Sequence, residues 1–362
     1  MFSPHDHALM AHALRLAAHG LETTQPNPRV GCVIARDGEV VGEGWHRRAG
    51  EAHAEVHALQ AAGVAARGAT TYVTLEPCGL HGRTPPCADA LIAAGVARVV
   101  IATDDVAQCA GGALERLRAA GIVVETGLMR EAARELNRGF FARVERGRPW
   151  LRLKLATSLD GRTALASGES KWITGEAARA DVQRWRARSS ALLTGSGTVR
   201  ADDPHLTVRL ADAPAQAVAP LRVVLDSALR TPRGAHVLDG SAPTLLLHAA
   251  AARPSDDRFD AVELVALGRD ARGLDLAAVL ALLAARGMNE VQVEAGPMLC
   301  GALFSAGLVD ELLLYVAPVL LGGDARALLA LPPLARMADR TRLRVHEQRV
   351  VGDDIRLLLR PD

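Results

Sequence analysis

Two stretches in the N-terminal third carry the residue types of a metal site with catalytic chemistry. The first, EAHAEVHAL (51–59), contains His53 and Glu55, and the second, LEPCGLHGRTPPC (75–87), contains Cys78 and Cys87. One imidazole and two thiolates give three protein ligands, the number that a catalytic zinc ion binds while its fourth position stays open. Glu55 follows His53 by two residues at the start of a predicted helix. Its carboxylate can therefore reach the open position without binding the metal.

This spacing favours hydrolytic deamination of a nucleobase-like ring. His-x-Glu followed by Pro-Cys and a second cysteine is the signature of zinc deaminases. Eight residues separate the cysteines here, so we expect the second ligand to follow a loop, with Pro85 and Pro86 starting the next helix. His53 and His57 are four residues apart. A zincin site is nevertheless excluded, because it needs glutamate directly after the first histidine, where Ala54 stands.

The chemistry follows from these side chains. We expect Glu55 to take a proton from the attacking water, which adds to the ring carbon bearing the exocyclic amine, and then to protonate the ring nitrogen and the leaving ammonia. Taken alone, His53 is typical of an ordinary helical histidine, and two cysteines are typical of a structural thiol pair. The complete set favours zinc, since His-Ala-Glu starts a helix and Glu-Pro-Cys ends a strand.

The composition excludes several classes of partner. The chain has 362 residues, enough for two domains, with a net charge of +1 at pH 7. That balance argues against nucleic acid or a membrane surface as partner, and 3% aromatic residues leave little surface for stacking on bases. No apolar run reaches the ~20 residues that span a bilayer, and the first residues lack the pattern of a secretion signal. Five cysteines, an odd number, indicate reduced thiols, so we expect a soluble cytoplasmic protein.

Alternating elements predict a three-layer α/β sheet in the first third of the chain. The predicted strands are 29–35, 70–76, 97–103 and 121–126, and the predicted helices are 52–62, 85–95, 111–120 and 130–142. The basic stretch 143–149 is the best boundary, which gives domains 1–147 and 148–362.

A second α/β pattern follows that boundary. Its predicted strands are 150–156, 190–195, 221–226, 243–249, 290–295 and 311–318. A Rossmann site is not supported, since no GxGxxG motif follows a strand. Gly195 and Gly197 indicate a tight turn. Gly296-Pro297 follows a strand and precedes a helix that starts near Met298, and such a helix start can bind a cofactor phosphate.

With these residues in place, the chain resembles the family of bifunctional riboflavin-biosynthesis deaminase–reductases over nearly its whole length. The strings that carry the resemblance are NPRVGCVI (27–34), HAEVHAL (53–59), GRTPPCADALIAAGVARVV (82–100), KLATSLDGRTALASGESKWITG (154–175), TVRADDPHLTVR (198–209) and VEAGPMLCGAL (293–303). The resemblance implies a cytidine-deaminase-like α/β domain followed by a dihydrofolate-reductase-like α/β domain, with zinc and NADPH as cofactors. The first domain would deaminate 2,5-diamino-6-ribosylamino-4(3H)-pyrimidinone 5′-phosphate. The second would reduce the ribosyl chain of the product to ribityl.

The resemblance also implies roles for individual residues. The deaminase substrate would contact Asn27, His46 and, through its phosphate, Arg83. The NADP site would be lined by Ala156, Trp172, Thr198, Asp202, Ser227, Gly296, Pro297, Met298, Leu299, Cys300, Gly301 and Ala302. The reductase substrate would be held by Lys154, Ser170, Arg186, Leu206, Arg209 and Glu294, with Lys154 and Asp202 as alternative proton donors. From the residues alone, Asn27 equally fits a turn between two prolines, and Trp172 is more typical of a core.

Two segments depart from the family pattern. Gly79-Leu80 stands where the family has Ser-His after the first cysteine, and TDDVAQCAGG (103–112) replaces an Asp-Pro-Asn-Pro run. Both belong to the substrate pocket and not to the zinc ligands, so a reductase-only chain or a shifted pyrimidine substrate stays open. A deaminase acting on nucleic-acid bases is disfavoured by the charge and the aromatic content. We also expect a homo-oligomer, a dimer or a tetramer, between which the sequence does not decide.

Overall fold

The computed structural model describes residues 1–80, 86–107, 112–270 and 273–362. These residues divide into two compact units. The N-terminal unit comprises Met1–Gly147 and Pro214–Val218, and the C-terminal unit comprises Arg148–Ala213 and Ala219–Asp362.

In its described residues, the N-terminal unit forms a five-stranded sheet in the order β2-β1-β3-β4-β5. Strand β1 is antiparallel to β2 and β3, whereas β3, β4 and β5 are parallel. The elements are α1 Pro4–Ala18, β1 Gly31–Arg36, β2 Glu39–Trp45, α2 Ala54–Ala62, β3 Thr70–Val73, α3 Cys87–Ala94, β4 Arg98–Ile101, α4 Ala113–Ala119, β5 Val123–Thr126, α5 Arg130–Leu136 and α6 Arg138–Arg146.

The two faces of β1 contact different layers of helices. Cys32 and Ile34 belong to an apolar cluster with α2, α3 and α4, and Val33 and Ala35 belong to another with α1 and α5. Successive side chains of a strand point to opposite faces. A strand buried on both sides therefore has an unbroken apolar run. The predicted three-layer α/β sheet is confirmed.

Two glycines of β2 bring the backbone of α2 unusually close to the sheet. A Cβ atom added to Gly44 would lie 2.5 Å from the Cβ of His57 and 2.7 Å from the carbonyl oxygen of Ala54. A Cβ atom added to Gly42 would lie 2.3 Å from the carbonyl oxygen of Ala58. Only glycine leaves room for this contact, which determines how far the start of α2 lies from the sheet.

The described residues of the C-terminal unit form a nine-stranded sheet in the order β11-β10-β9-β8-β14-β6-β15-β18-β17. The strands from β11 to β15 in that order pair in parallel, and β18 and β17 are antiparallel. The elements are β6 Trp150–Ser158, β7 Arg162–Ala164, α7 Glu176–Ala187, β8 Ala191–Gly195, α8 Ser196–Asp202, β9 Leu221–Leu225, β10 Thr244–Ala249, β11 Glu263–Leu267, β12 Arg269–Asp270, β13 Gly273–Leu274, α9 Leu276–Ala285, β14 Glu290–Val293, α10 Pro297–Ser305, β15 Glu311–Ala317, β16 Arg326–Ala327, β17 Leu343–Val351 and β18 Asp354–Pro361.

Alternate residues of β6 face different surroundings. Leu151, Leu153 and Leu155 pack in the main apolar cluster together with α9 and α10. On the opposite face, Arg152 forms ion pairs with Glu290 of β14 at 2.9 Å and with Glu311 of β15 at 2.7 Å. All three side chains are at most 1% exposed. This group of buried charges, here called the Arg152 triad, ties together three neighbouring strands.

The predicted elements correspond to observed ones with several differences. The predicted helix 130–142 is two helices, α5 and α6, which meet at Asn137 because its side chain bonds to both backbone groups of Arg29. The predicted turn at Gly195 and Gly197 is instead the start of α8. The prediction missed the helices α1, α7 and α9 and the strands β2, β7, β11, β12, β13, β16, β17 and β18. Across the described ranges, none of the helices has both the length and the apolar content that crossing a bilayer requires.

Candidate functional sites

Three separate elements bring the predicted metal ligands together. His53 is the N-cap residue of α2, Cys87 is the first residue of α3, and Cys78 follows β3. The Nδ1 atom of His53 lies 3.2 Å from the Sγ atom of Cys87 and 3.5 Å from that of Cys78. In a tetrahedral zinc site with bonds of about 2.1 Å to nitrogen and about 2.3 Å to sulfur, the N···S edge is about 3.6 Å. The donor types and their spacing therefore fit zinc.

The surroundings of Cys78 favour its thiolate. The Cys87 thiol, the His53 ring and the backbone N–H of Cys87 all donate to its sulfur, and together they outweigh burial and lower the pKa of Cys78 to about 4. The pKa of Cys87 is raised, because its thiol donates to Cys78 and is buried. A divalent cation at this point would hold both sulfurs as thiolates, since metal ligands must be deprotonated.

Glu55 lies beside these ligands on the first turn of α2 and is only 3% exposed. Burial raises the pKa of Glu55 to about 7, and hydrogen bonding to Cys87 and the nearby charge of His53 oppose that rise. A carboxyl group with such a pKa can both accept and release a proton near neutral pH, as general acid–base catalysis requires.

Asn27 and His46 form a hydrogen-bonded pair next to the metal ligands. The amide nitrogen of Asn27 lies 3.0 Å from Nε2 of His46, and Nδ1 of His46 lies 3.2 Å from the carbonyl oxygen of Ala52. Nδ1 therefore carries the proton, because only a donor can bond to a carbonyl. Burial lowers the pKa of His46, which favours this neutral form. The His46 and His53 ring centroids are 5.3 Å apart.

Some predicted features fall outside the described residues. These are Arg83, the expected phosphate ligand of the deaminase substrate, Pro85, one of the two prolines expected to start the next helix, and residues 108–111 of the segment that departs from the family. Leu80, the other departure, is 51% exposed.

In the C-terminal unit, a buried ion pair joins two predicted substrate residues. Arg186 of α7 donates from Nε and Nη2 to the two carboxylate oxygens of Glu294, each at 2.7 Å, and from Nη1 to the carbonyl oxygen of Thr207 at 3.0 Å. Burial opposes ionisation of Glu294, but Arg186 and Lys154 lower the pKa of its carboxyl group to about 2. Burial lowers the pKa of Lys154, although the charge of Glu294 acts in the opposite direction.

Sequence reasoning missed the residues that hold Glu294 in place. Gln292 donates to its carboxylate at 2.9 Å, and the hydroxyl of Thr194 donates to its carbonyl at 2.7 Å. Gln292 was recognisable as a neighbour, because it precedes Glu294 by two residues and lies on the same face of the strand. Thr194 is one hundred positions away in the chain, so only the parallel pairing of β8 with β14 brings it close.

The remaining predicted substrate residues differ in their exposure and backbone conformation. Arg209 is exposed, and its Nη1 atom lies 3.4 Å from the hydroxyl of Thr207. Leu206 is buried and has a left-handed backbone with φ of 48°. Ser170 is half-buried and lies between β7 and α7.

The predicted cofactor residues lie mainly where strands end and helices begin. Gly296 is the N-cap of α10, its N–H bonds to the Thr198 hydroxyl at 3.2 Å, and no described side chain caps that helix. The first N–H groups of α10 are therefore free to bind an anion. Asp202 ends α8, and Ser227 follows β9. From Pro297 to Ala302, the first turns of α10 include exposed Met298, half-buried Leu299 and Ala302, and buried Cys300 and Gly301.

Trp172 does not lie in the core, where its residue type suggested that it would. Its side chain is 71% exposed, and the guanidinium carbon of Arg179 lies 4.7 Å from the ring centroid. Arg179, on the first turn of α7, covers one face of the ring. Such an exposed aromatic face suits a flat ligand. Ala156, the other predicted residue of this group, is half-buried in β6.

Two family models match the chain, one in each unit. Residues 3–103 match the cytidine and deoxycytidylate deaminase zinc-binding region, and residues 149–357 match the RibD C-terminal domain.

Relatives match over the full length. The riboflavin biosynthesis protein RibD of Escherichia coli K12 is 51% identical, with 98% of this chain and 99% of that protein covered. The RibD protein of Haemophilus influenzae is 46% identical, with 99% and 98% covered. Among solved structures, Acinetobacter baumannii RibD in its form 1 is 44% identical with a TM-score of 0.92, and each chain is covered to 99%. A diaminohydroxyphosphoribosylaminopyrimidine deaminase/5-amino-6-(5-phosphoribosylamino)uracil reductase from Thermotoga maritima is 31% identical with a TM-score of 0.88 and the same coverage.

Proposed function

The chain belongs to the family of bifunctional riboflavin-biosynthesis deaminase–reductases, and on that premise we propose which of its residues carry out each reaction. It is a zinc-dependent deaminase and an NADPH-dependent reductase, which acts first on 2,5-diamino-6-ribosylamino-4(3H)-pyrimidinone 5′-phosphate and then on the ribosyl chain of the product. Residues 1–147 are the proposed deaminase domain, and residues 148–362 are the proposed reductase domain.

The deaminase site consists of His53, Cys78 and Cys87 as zinc ligands and Glu55 as the group that moves protons. Bound zinc would supply a Lewis acid that makes water a nucleophile near neutral pH. Glu55 accepts a proton from the attacking water and passes it to the ring nitrogen, and it then transfers the remaining proton of that water from the new hydroxyl group to the leaving amine. The observation that carries this proposal is the burial of the Glu55 carboxyl group beside three converging donor atoms.

Substrate contacts in this domain are assigned to Asn27 and His46. Because His46 is held by the carbonyl oxygen of Ala52, its ring has a fixed orientation and keeps Asn27 in place. The Asn27 carbonyl oxygen is then available to the ring N–H or amine groups of a pyrimidine. Arg83 remains the proposed phosphate ligand from its position in the motif.

In the reductase domain, Glu294 is proposed to bind the hydroxyl groups of the ribosyl chain. NADPH would supply the hydride. Lys154 and Asp202 remain the alternative proton donors. Lys154 has the stronger support, because burial lowers its pKa and so makes its ammonium group a stronger acid than that of an ordinary lysine. Ser170 and Leu206 complete the proposed substrate site.

Arg186 and Arg209 are both proposed to bind the phosphate group of the reductase substrate. A guanidinium group has five N–H donors, and Arg186 uses three of them on Glu294 and Thr207. It therefore keeps two N–H groups for a ligand while it orients Glu294. Arg209 offers a more exposed guanidinium group, so it carries the larger share of the phosphate contact in this proposal.

The cofactor site is proposed at the start of α10, where free N–H groups can bind a phosphate of NADPH. Thr198, which bonds to Gly296, supports this helix start from α8. The exposed ring of Trp172 is proposed to stack on the cofactor. The other proposed members are Ala156, Asp202, Ser227, Pro297, Met298, Leu299, Cys300, Gly301 and Ala302.

A test of the deaminase assignment replaces Glu55 by glutamine. Ammonia release should fall by about 10²–10⁴-fold, while zinc content and NADPH oxidation with a deaminated substrate stay unchanged. Glu51→Gln, at an exposed position in the same segment, makes the same change in charge and should have little effect. Unchanged ammonia release in Glu55→Gln would refute the assignment.

The reductase-only reading receives no support from the family matches, which cover both domains. Supplying the non-deaminated and deaminated substrates separately tests it directly. Ammonia release from the first compound rejects a reductase-only chain.

A homo-oligomer is proposed to form through the free edge of β17. This nine-residue strand ends the sheet, and its Val345 and Val350 side chains are 56% and 75% exposed. Long exposed edge strands with apolar side chains tend to pair with another chain. Light scattering of Val345→Lys against the native chain tests this, and an unchanged mass would refute it.

A cytoplasmic location is also proposed. The free thiols of Cys32, Cys78, Cys87 and Cys300 support it, because reduced cysteines persist in a reducing compartment.

A further inference from the structure

Arg116 of α4 bonds to both chain segments that carry the thiol ligands. Its Nη1 atom donates to the carbonyl oxygen of Gly79, the residue after Cys78, at 2.8 Å. Its Nη2 atom pairs with the carboxylate of Asp89, two residues after Cys87 on α3. One guanidinium group therefore joins the end of the Cys78 segment to the first turn of α3. We call these two contacts the Arg116 bridge.

The segment that contains Cys78 and the start of α3, which contains Cys87, need such a connection to keep a fixed distance between their thiols. Eight residues separate Cys78 from Cys87 along the chain, so covalent connectivity alone does not set the distance between their sulfur atoms. Besides the thiol contact between the two cysteines, two backbone bonds join the described parts of these segments: Cys87 N–H donates to Cys78 Sγ, and Ala88 N–H donates to the Cys78 carbonyl, both at 3.2 Å. Both bonds start from the first turn of α3. The Arg116 bridge adds a third element, α4, that holds the same two segments from outside.

We propose that Arg116 is a positioning residue for the metal centre, which keeps the two thiols at the spacing that zinc requires before the metal binds. This inference rests on the proposed zinc site. Arg116 touches neither sulfur atom, and it acts through Gly79 and Asp89. Its planar fork of donors suits the task, because one group can hold a carbonyl and a carboxylate in fixed directions.

The expected effect is a loss of metal affinity. Residues that orient metal ligands typically contribute 10- to 100-fold to affinity. The Arg116 and Asp89 side chains are 40% and 47% exposed, and solvent weakens such a pair. We therefore expect the lower end of the range, about a tenfold rise in the zinc Kd of Arg116→Met. Asp89→Asn should have a smaller effect, since the bond from Arg116 to Gly79 remains.

The experiment uses the full chain freed of metal and measures zinc Kd by competition with a chromogenic chelator. Cobalt(II) serves as a second probe, because its thiolate charge-transfer band reports how the sulfurs bind. Arg118→Met is the matched control, with the same residue type on the same helix and an exposed side chain. The thermal midpoint of the metal-free chain is measured for each variant, so that a general loss of stability is separated from a loss of metal binding.

The proposal predicts a higher zinc Kd and an altered cobalt band for Arg116→Met. It also predicts that the thermal midpoint of the metal-free chain is the same for Arg116→Met as for Arg118→Met. It is overturned if the two variants bind zinc equally, or if Arg116→Met lowers the metal-free midpoint and leaves zinc Kd unchanged. The variant Cys87→Ser distinguishes a failure of the proposed zinc site from a failure of the proposed role of Arg116. If that variant binds zinc as tightly as the native chain, the zinc site itself is refuted, and the role of Arg116 with it.

Discussion

The close contact between β2 and α2 should make Gly44→Ala damage deamination while sparing reduction. The new Cβ atom would lie 2.5 Å from the Cβ of His57, whereas carbon atoms pack best at about 3.5–4.0 Å. The helix must therefore move outward by about 1 Å. Another of the clashing atoms is the carbonyl oxygen of Ala54 at 2.7 Å. That residue stands between His53 and Glu55, so the displacement reaches the site itself.

Two magnitudes follow from that displacement. A misplacement of about 1 Å in a catalytic group can cost ~10²-fold in rate, and overpacking of this kind typically costs about 1–3 kcal/mol of stability. We therefore expect ammonia release by Gly44→Ala to fall by about 10²-fold, in a protein that still folds. NADPH oxidation should remain near the native rate, because the reductase residues lie on another sheet.

The assay measures ammonia release and NADPH oxidation on the same preparation, with zinc content measured alongside. Gly234→Ala is the control, since a Cβ atom there meets nothing within 4 Å. If Gly44→Ala deaminates at more than half the native rate with full zinc content, then α2 does not depend on the β2 glycines for its position.

Three further predictions concern charged residues. Arg209→Met should raise KM of the reductase for its phosphorylated substrate by about tenfold with little change in kcat, since it removes binding common to ground and transition states; an unchanged KM would contradict it. Arg152→Met should lower the free energy of unfolding, measured with urea, by about 3–5 kcal/mol, because Glu290 and Glu311 lose a shared buried cation; a loss below about 1 kcal/mol would contradict it. Although burial acts the other way, hydrogen bonds from Arg98 and Ser3 hold the pKa of Asp6 below its ordinary value. The ionised Asp6 therefore stabilises the folded state above about pH 4, and this stabilisation is lost as the pH falls toward the folded pKa. Between pH 5 and pH 3, the free energy of unfolding should decrease less for Asp6→Asn than for the native chain.

The zinc site could be predicted from the sequence because its chemistry is local. His53 and Glu55 share one helix start, and Cys78 follows the next strand, β3, so residue order and element type were sufficient. The Glu294–Arg186 pair could not be predicted in the same way, since its members are 108 positions apart. The resemblance named both residues as substrate ligands, but their contact depends on how α7 packs against the sheet.

The elements that were missed have sequence patterns that hide their role. In β2, Gly42 and Gly44 interrupt the apolar alternation, and the physical reason for these glycines is the packing of α2, which only the fold reveals. In β17, LRVHEQRVV has mostly exposed side chains, so no buried face marks it as a strand. The helix α7 contains three arginines among twelve residues, and its buried side chains include Arg186. Its apolar periodicity is correspondingly weak.

The Arg152 triad constrains how this half of the molecule can vary. Loss of Arg152 removes the buried cation that Glu290 and Glu311 share, although Arg360 still pairs with Glu311 at 3.1 Å. Exchange of all three residues for well-packed apolar side chains can instead be neutral or favourable. Variation at these three positions should therefore be strongly epistatic. A library that samples them one at a time would score each as intolerant, and only joint randomisation would find the apolar solutions.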